Sequence, residues 1–267
     1  MAGNNLIKQY FRWLPTQLGM FNKGAFLHQI NAIYPDDIFL VSFPKSGNTW
    51  LRFIIANLIS NKEITFKNID EFVPDCYTSH QIIDSKKSKR IIKSHNTYFK
   101  YYPKSIYIYR DYRDVLVSYY LYQTALNHFN GSIDEFITSK ALNTPFNSWK
   151  THLKNALNQQ QQHPETILLI AYEELLQNPH NIIKQIIEFC NITPVQAIED
   201  VIKKSEFNHL KAIENKDEGN FKQQTGQSFF RNGKAGNWQK HLTNTTLNTL
   251  QQDHELVNLM HQLGYYF

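Results

Sequence analysis

Phe43-Pro44-Lys45-Ser46-Gly47-Asn48-Thr49-Trp50 follows directly on Ile38-Phe39-Leu40-Val41-Ser42, and the junction between the two sets the fold. The apolar run is short, with acidic residues before it and Pro-Lys-Ser-Gly after, as a parallel strand buried on both faces reads. Beyond the loop, Trp50, Leu51, Phe53, Ile54, Ile55, Leu58 and Ile59 cover one broad helical face. Strand, short loop and helix amino terminus bring several unpaired backbone N–H groups to one point. The helix dipole adds roughly half a positive charge there, so the loop is built for an anion, a phosphate above all. Gly47 permits close backbone approach, Ser46 and Thr49 offer hydroxyls, and Lys45 supplies a full charge. The Walker order GxxxxGK[ST] is absent, because Lys45 precedes the glycine and no earlier glycine stands in the loop.

Outward from this junction, further strands are expected at Arg90–Ser94, Ser105–Tyr109 and Thr166–Ile170. Helices are expected from about Asp114 through Tyr122, over Phe146–Gln162, from Pro179 to about Cys190 and over Thr246–Leu263. Strands alternating with helices predict an α/β fold, a central parallel sheet flanked by helices with a P-loop-like nucleotide site. Neither internal repeats nor a Pro/Gly/Ser-rich linker divides the 267 residues. One domain is expected: a core over about 37–243, an amino-terminal packing segment over 1–36 and a carboxy-terminal helix over 244–267. Asn61–Lys89 and Lys211–Phe230 have weak periodicity and read as long loops, candidates for lids or binding walls.

Composition narrows the function classes. Apolar residues make up 42% of the chain, too many for general disorder. The net charge of +5 suits an anionic ligand, but no basic stripe interleaved with aromatics is present, so no nucleic-acid partner is expected. No apolar run approaches a bilayer span, and Met1–Met20 lacks the pattern of a signal peptide, so a soluble cytoplasmic protein without membrane contact is expected. Phe11, Trp13, Leu14 and Leu18 read as a small patch packing onto the domain. Cys76 and Cys190 fall in no CxxC pattern and read as free thiols. No HExxH or Cys/His cluster occurs, and no metal is expected.

Two more constellations carry chemistry. In Tyr109-Arg110-Asp111-Tyr112-Arg113-Asp114-Val115-Leu116-Val117-Ser118, Arg110 leaves a strand end and Ser118 lies two helical turns on, so both can face one phosphate. The same charges also read as surface ion pairs, with Asp114 as a helix cap. Arg231-Asn232-Gly233-Lys234-Ala235-Gly236-Asn237-Trp238 puts two glycines, two cations and a Trp in a loop suited to wrapping an anion; alone it also reads as a turn.

Together the three segments resemble the cytosolic-type sulfotransferases that use 3′-phosphoadenosine 5′-phosphosulfate (PAPS) as donor and release 3′-phosphoadenosine 5′-phosphate (PAP). FPKSGNTW is similar to that family's 5′-phosphosulfate loop, RDYRDVLVSYY to its 3′-phosphate segment and RNGKAGNW to its RxGxxGxW loop. Lys93-Ser94-His95, the AYEEL around Tyr172 and Ser205-Glu206-Phe207 follow in the same order, so the resemblance runs from about Asp37 to Thr243. It implies that Lys45 contacts the transferring sulfuryl group, with Ser46, Gly47, Asn48 and Thr49 on the 5′-phosphate and Trp50 beside the adenine. Arg110 and Ser118 would bind the 3′-phosphate with Arg231, Asn232 and Gly233, while Tyr172, Ser205 and Phe207 line the adenine site. His95 falls at the catalytic base and Lys93 at a second cation supporting the transition state. Imidazole suits an acceptor that must lose a proton near neutral pH, and preorganised cations suit charge building on a leaving phosphate.

The departures are local. The family often has Lys where Asn232 stands, and Lys234 is the nearby cation; Asn237 replaces a usual Asp. The KxxxTVxxxE dimerisation segment of many animal members would fall near Gln239–Asn248 and keeps only Thr243, so a dimer by that route is not expected. The acceptor is expected to be a small-molecule alcohol, phenol or amine, in a pocket drawn from Tyr98, Phe99, Tyr119, Tyr120, Tyr122, His128, Phe129, Phe221, Phe229 and Phe230. Glu214, Asp217 and Glu218 either favour a cationic acceptor there or form a solvated acidic loop. The alternatives are a P-loop-type phosphotransferase, which needs Mg²⁺ and a Walker loop, and a non-catalytic nucleotide-binding homologue.

Overall fold

A computed structural model describes residue 30 and residues 32–86, 89–217 and 220–267. The amino-terminal patch of Phe11, Trp13, Leu14 and Leu18 and residue Glu218 lie outside the described residues, as do the side chains of Asp217 and Phe221.

The centre is a four-stranded parallel sheet in the order β2-β1-β3-β4, with β1 Ile38–Val41, β2 Ile91–Ser94, β3 Lys104–Tyr109 and β4 Ile167–Ala171. Every residue of β1 is buried, which is why its sequence shows no alternation. Ile38 and Leu40 point to one face with Ile91, Ile106, Ile108 and Ile170. Phe39 and Val41 point to the other with Ile92 and Tyr107. Each face makes its own apolar core, and each fully buried side chain of this size is worth about 1.5–3 kcal/mol over its exposed state.

Helix α1 (Asn48–Ile59) follows β1 and packs Leu51, Ile54, Ile55 and Leu58 on the first face. Short helices α2 (Ile69–Phe72) and α3 (His80–Ser85) come next, then β2, β3 and α4 (Tyr112–Ala125), which covers the second face through Val115, Leu116 and Tyr119. After α5 (Ile133–Phe136), α6 (Trp149–Gln162) adds Trp149, Leu153 and Ala156 to that face. Beyond β4, α7 (Tyr172–Gln177), α8 (Pro179–Cys190), α9 (Ile198–Lys204) and α10 (Phe207–Asp217) return to the first face, followed by α11 (Asn220–Thr225). The chain closes with α12 (Asn244–Gln251) and α13 (His254–Gln262).

Three expectations are corrected here. The single helix over Thr246–Leu263 is two, broken where the Asp253 side chain caps α13 by accepting from Leu256 N at 3.1 Å. Leu250, Leu256, Leu259 and Met260 of these two helices are buried against the second face of the sheet. Lys211–Phe230 is largely helical: Leu210, Ile213 and Glu214 are buried on one turn-to-turn stripe, and the polar outer face hid the period. Asn61–Lys89 carries α2, α3 and a parallel bridge from Asp75 to Lys93, so it covers the outer edge of β2 rather than forming a free loop.

The order places β1 between β2 and β3, so the chain leaves β1 for one side and reaches β3 on the other. The carboxyl ends of β1 and β3 flank the resulting crevice, where open α/β sheets bind ligands. At the opposite ends Arg90 forks onto both oxygens of Asp37, a fully buried pair that ties the starts of β1 and β2 together.

Candidate active site

A cavity of about 800 Å³ opens at this crevice. Its floor is the loop between β1 and α1. Lys45 takes a φ of 71°, a left-handed turn that costs a non-glycine residue about 1–2 kcal/mol. Gly47 follows with φ 105° as the N-cap of α1, and no side chain caps that helix end. The first N–H groups of α1 and its dipole are therefore presented to the cavity, which Gly47, Asn48, Thr49 and Trp50 line. A Cβ on Gly47 would stand 2.6 Å from the ring of Tyr172, so the close approach of α7 to the loop requires glycine.

Three cations converge above the loop. Lys45 Nζ sits between the rings of Tyr122 and Phe229, at 4.3 and 4.1 Å from their centroids. Arg110 lies over the Tyr172 ring at 4.2 Å and donates through Nη2 to Asp114 and to the carbonyl of Lys234. Arg231 donates through Nη2 to the hydroxyl of Ser118 at 2.9 Å and to its carbonyl at 3.0 Å. Burial, then the charges of Arg231 and Arg110, hold the Lys45 ammonium well below its ordinary pKa. Burial, then Arg110, brings Arg231 down to about 10. Among the described residues, Arg110 Nε and Arg231 Nη1 are buried with no hydrogen-bond partner. An anionic group at Arg110 and Arg231 would relieve their mutual repulsion and satisfy those donors.

The chain order of these parts is bridged by Asp114. Its carboxylate accepts from Gly236 N at 2.8 Å, from Trp238 N at 2.9 Å and from Arg110, so it pins the loop at residues 231–238 over the helix. The helix cap expected of Asp114 is supplied instead by Asp111, which accepts from Arg113 N. Gly233 (φ 61°) is similarly fixed, since a Cβ there would stand 2.2 Å from Phe207.

On the wall of the same cavity, His95 lies one residue past β2. Its Nδ1 meets the carbonyl of Ser42 at 2.7 Å. A carbonyl only accepts, so Nδ1 carries the hydrogen and Nε2 the lone pair. Burial, then the Lys93 charge, keeps the ring well below its ordinary pKa and so neutral at pH 7. Lys93 Nζ forms a 2.7 Å ion pair with Asp75, and both line the cavity.

Of the residues singled out in the sequence, Lys45, Gly47, Asn48, Thr49, Trp50, Lys93, His95, Arg110, Ser118, Tyr172, Phe207, Arg231, Asn232 and Gly233 line this one cavity, as does Lys234. Two are not brought to its wall. Ser46 is fully buried within the loop, and among the described residues its hydroxyl has no hydrogen-bond partner. Ser205 is buried behind Trp50, whose indole N–H donates to the Ser205 carbonyl at 2.8 Å. The Asn48 amide also turns inward, donating to Ser42 Oγ at 3.1 Å.

Among the aromatic candidates for the acceptor end, Tyr119, Tyr122, Phe229 and Phe230 line the cavity. Phe99 packs in the core against Tyr107, Tyr120 donates to Gly131, and His128 pairs with Gln123. Tyr98 and Phe129 pack against the same core. Phe146, Tyr77 and Asp75 are additional wall residues. Glu214 is neither solvated nor a wall group: it is buried and accepts from Ser228 Oγ, Phe229 N and Phe230 N, holding Phe229 in place beside Lys45.

Comparison with known proteins agrees with this assembly of strand, phosphate loop and cation cluster. The model of the sulfotransferase domain matches residues 35–264, so the chain belongs to the sulfotransferase family and is a sulfotransferase enzyme. Sulfotransferase 2B1 of Mus musculus is 29% identical over 261 residues, 88% of this chain and 76% of that protein. Flavonol 4′-sulfotransferase of Flaveria chlorifolia is 29% identical over 260 residues, 83% of this chain and 79% of that protein. The crystal structure of mouse sulfotransferase SULT7A1 complexed with PAP shares the fold, with a TM-score of 0.67 at 22% identity over 85% of this chain and 84% of that one. The likeness therefore extends past Thr243 into the last two helices. Among the described residues no helix is long and apolar enough to cross a membrane.

Proposed function

We propose that this enzyme transfers the sulfuryl group of PAPS to a hydroxyl or amine of a small-molecule acceptor, with His95 as general base. The observation that carries the reading is His95 itself: a neutral ring, its Nδ1 committed to Ser42 O, on the wall of the cavity that Lys45 enters from the phosphate loop.

PAPS supplies an activated sulfuryl group, and PAP is the leaving product. The residues present fit such a nucleotide. The uncapped start of α1 with Lys45 and Thr49 suits a 5′-phosphosulfate, and Arg110, Arg231 and Ser118 with two unpartnered guanidinium donors suit a 3′-phosphate. Trp50, Tyr172 and Phe207 offer apolar faces for a base. His95 Nε2 takes the acceptor's proton as it attacks, and a ring held neutral is ready to do so at pH 7. Lys45, which lines the cavity, stabilises charge on the departing phosphate. Lys93 adds a second cation, steadied by Asp75. A small uncharged acceptor fits walls built from Tyr77, Phe146, Tyr119 and Tyr122, and the relative named for flavonol sulfation fits the same class.

Thermal unfolding with added nucleotides tests the donor assignment. PAP should raise Tm clearly more than 5′-AMP, which lacks the 3′-phosphate, in line with stabilisation of about 2.7 kcal/mol at a hundredfold excess over Kd. Equal or greater stabilisation by ATP with Mg²⁺ would instead support a phosphotransferase.

A further inference from the structure

His95 stands just beyond the last ladder pair of β2, Val41 with Ser94, so the sheet does not hold its peptide. Two side chains from distant parts of the chain do. The His95 N–H donates to the hydroxyl of Tyr77 at 2.8 Å. Its carbonyl meets Nε2 of His152, on α6, at 2.9 Å. Tyr77 also lies parallel to the His95 ring, with centroids 6.2 Å apart.

His152 is fully buried and fully used. Its Nε2 must carry hydrogen to donate to a carbonyl, so its Nδ1 accepts from the Tyr107 hydroxyl on β3 at 2.9 Å. Its ring packs on Tyr107 and edge-on to Phe43, the residue that opens the phosphate loop. Burial brings its pKa down to about 4, so the ring is neutral at pH 7. A satisfied core histidine needs only such partners; what sets this one apart is that its N–H is spent on the peptide of His95.

We propose that Tyr77 and His152 are positioning residues that clamp the His95 peptide at N–H and C=O, thereby holding the ring with Nδ1 on Ser42 O and Nε2 as the proton acceptor. The meaning of the clamp for catalysis rests on reading His95 as the base; its existence is read on the ring directly.

The experiment is long-range ¹H–¹⁵N NMR of the histidine rings in the 267-residue chain, with His95→Ala to assign the signal. Wild type should show His95 as one tautomer, hydrogen on Nδ1, titrating well below the usual histidine range. In Tyr77→Phe and His152→Phe the Nε2 resonance should move toward a mixture of tautomers and the His95 pKa should rise. The His95 amide should exchange about tenfold faster in Tyr77→Phe, the factor a typical hydrogen bond is worth. His152→Gln, whose amide can still donate to the His95 carbonyl, should keep the wild-type ring signature. If His152→Phe fails to fold, Tyr77→Phe decides, because it removes a single hydroxyl. An unshifted single tautomer in the folded variants overturns the clamp and leaves the base assignment standing. Undiminished sulfuryl transfer by His95→Ala overturns the base assignment and leaves the clamp standing.

Discussion

Gly47 and Lys45 sit two residues apart in backbone conformations that side chains disfavour, and both serve the same opening of the cavity. At Gly47 the cause is visible in the neighbour: Tyr172 lies where a Cβ would go, and that ring is itself held beneath Arg110 and against Trp50. Gly47→Ala therefore has to push Tyr172 out of a stack as well as strain φ. A loss of about 2 kcal/mol in denaturant unfolding is expected, together with weaker PAP binding by calorimetry. Unchanged stability and affinity would show that the Tyr172 contact is slack. The residue types of this loop were legible because each has a separate chemical reason to be there. The inward turn of Asn48 and the burial of Ser46 were not, since nothing in a one-dimensional pattern says which hydroxyl or amide the strand end will claim.

Helix α4 and the loop at residues 231–238 form one unit through Asp114, although more than a hundred residues separate them. The sequence offered surface pairing or a cap for this carboxylate. Its real task depends on a tertiary approach that spacing cannot reveal. Asp114 is almost wholly buried and neutralises part of the charge of Arg110. Asp114→Asn keeps the shape but sets an N–H against donors and leaves the cations less compensated. The nucleotide-free enzyme should lose about 1–3 kcal/mol of stability by urea unfolding, the cost of a disrupted buried charged hydrogen bond. A variant as stable as wild type would mean the loop is held by other contacts. The segment around Asp75 and Tyr77 escaped reading for a related reason. Its apolar residues Ile64, Ile69, Val73 and Cys76 are buried one by one against α1 and the edge of β2, with no periodic face to announce them.

At the scale of the molecule, two apolar cores on opposite faces of one sheet leave only its carboxyl edge for chemistry. The four strands and the phosphate loop could be read from sequence because an unbroken apolar run ending in a cationic, glycine-bearing turn suits little besides a buried parallel strand that feeds an anion site. The wall of the cavity proposed for the acceptor could not, because it is assembled from chain segments brought together only by folding. The proposed base, His95, stands one residue past β2 and lines the same cavity as Lys45. The most direct test is transfer of labelled sulfate from PAPS to a panel of phenols, alcohols and amines by wild type and by His95→Ala, with PAP affinity measured in parallel. The expected result is that PAP binding changes by no more than about threefold while transfer falls by a factor of about 10² or more. Transfer by His95→Ala at close to the wild-type rate would contradict it.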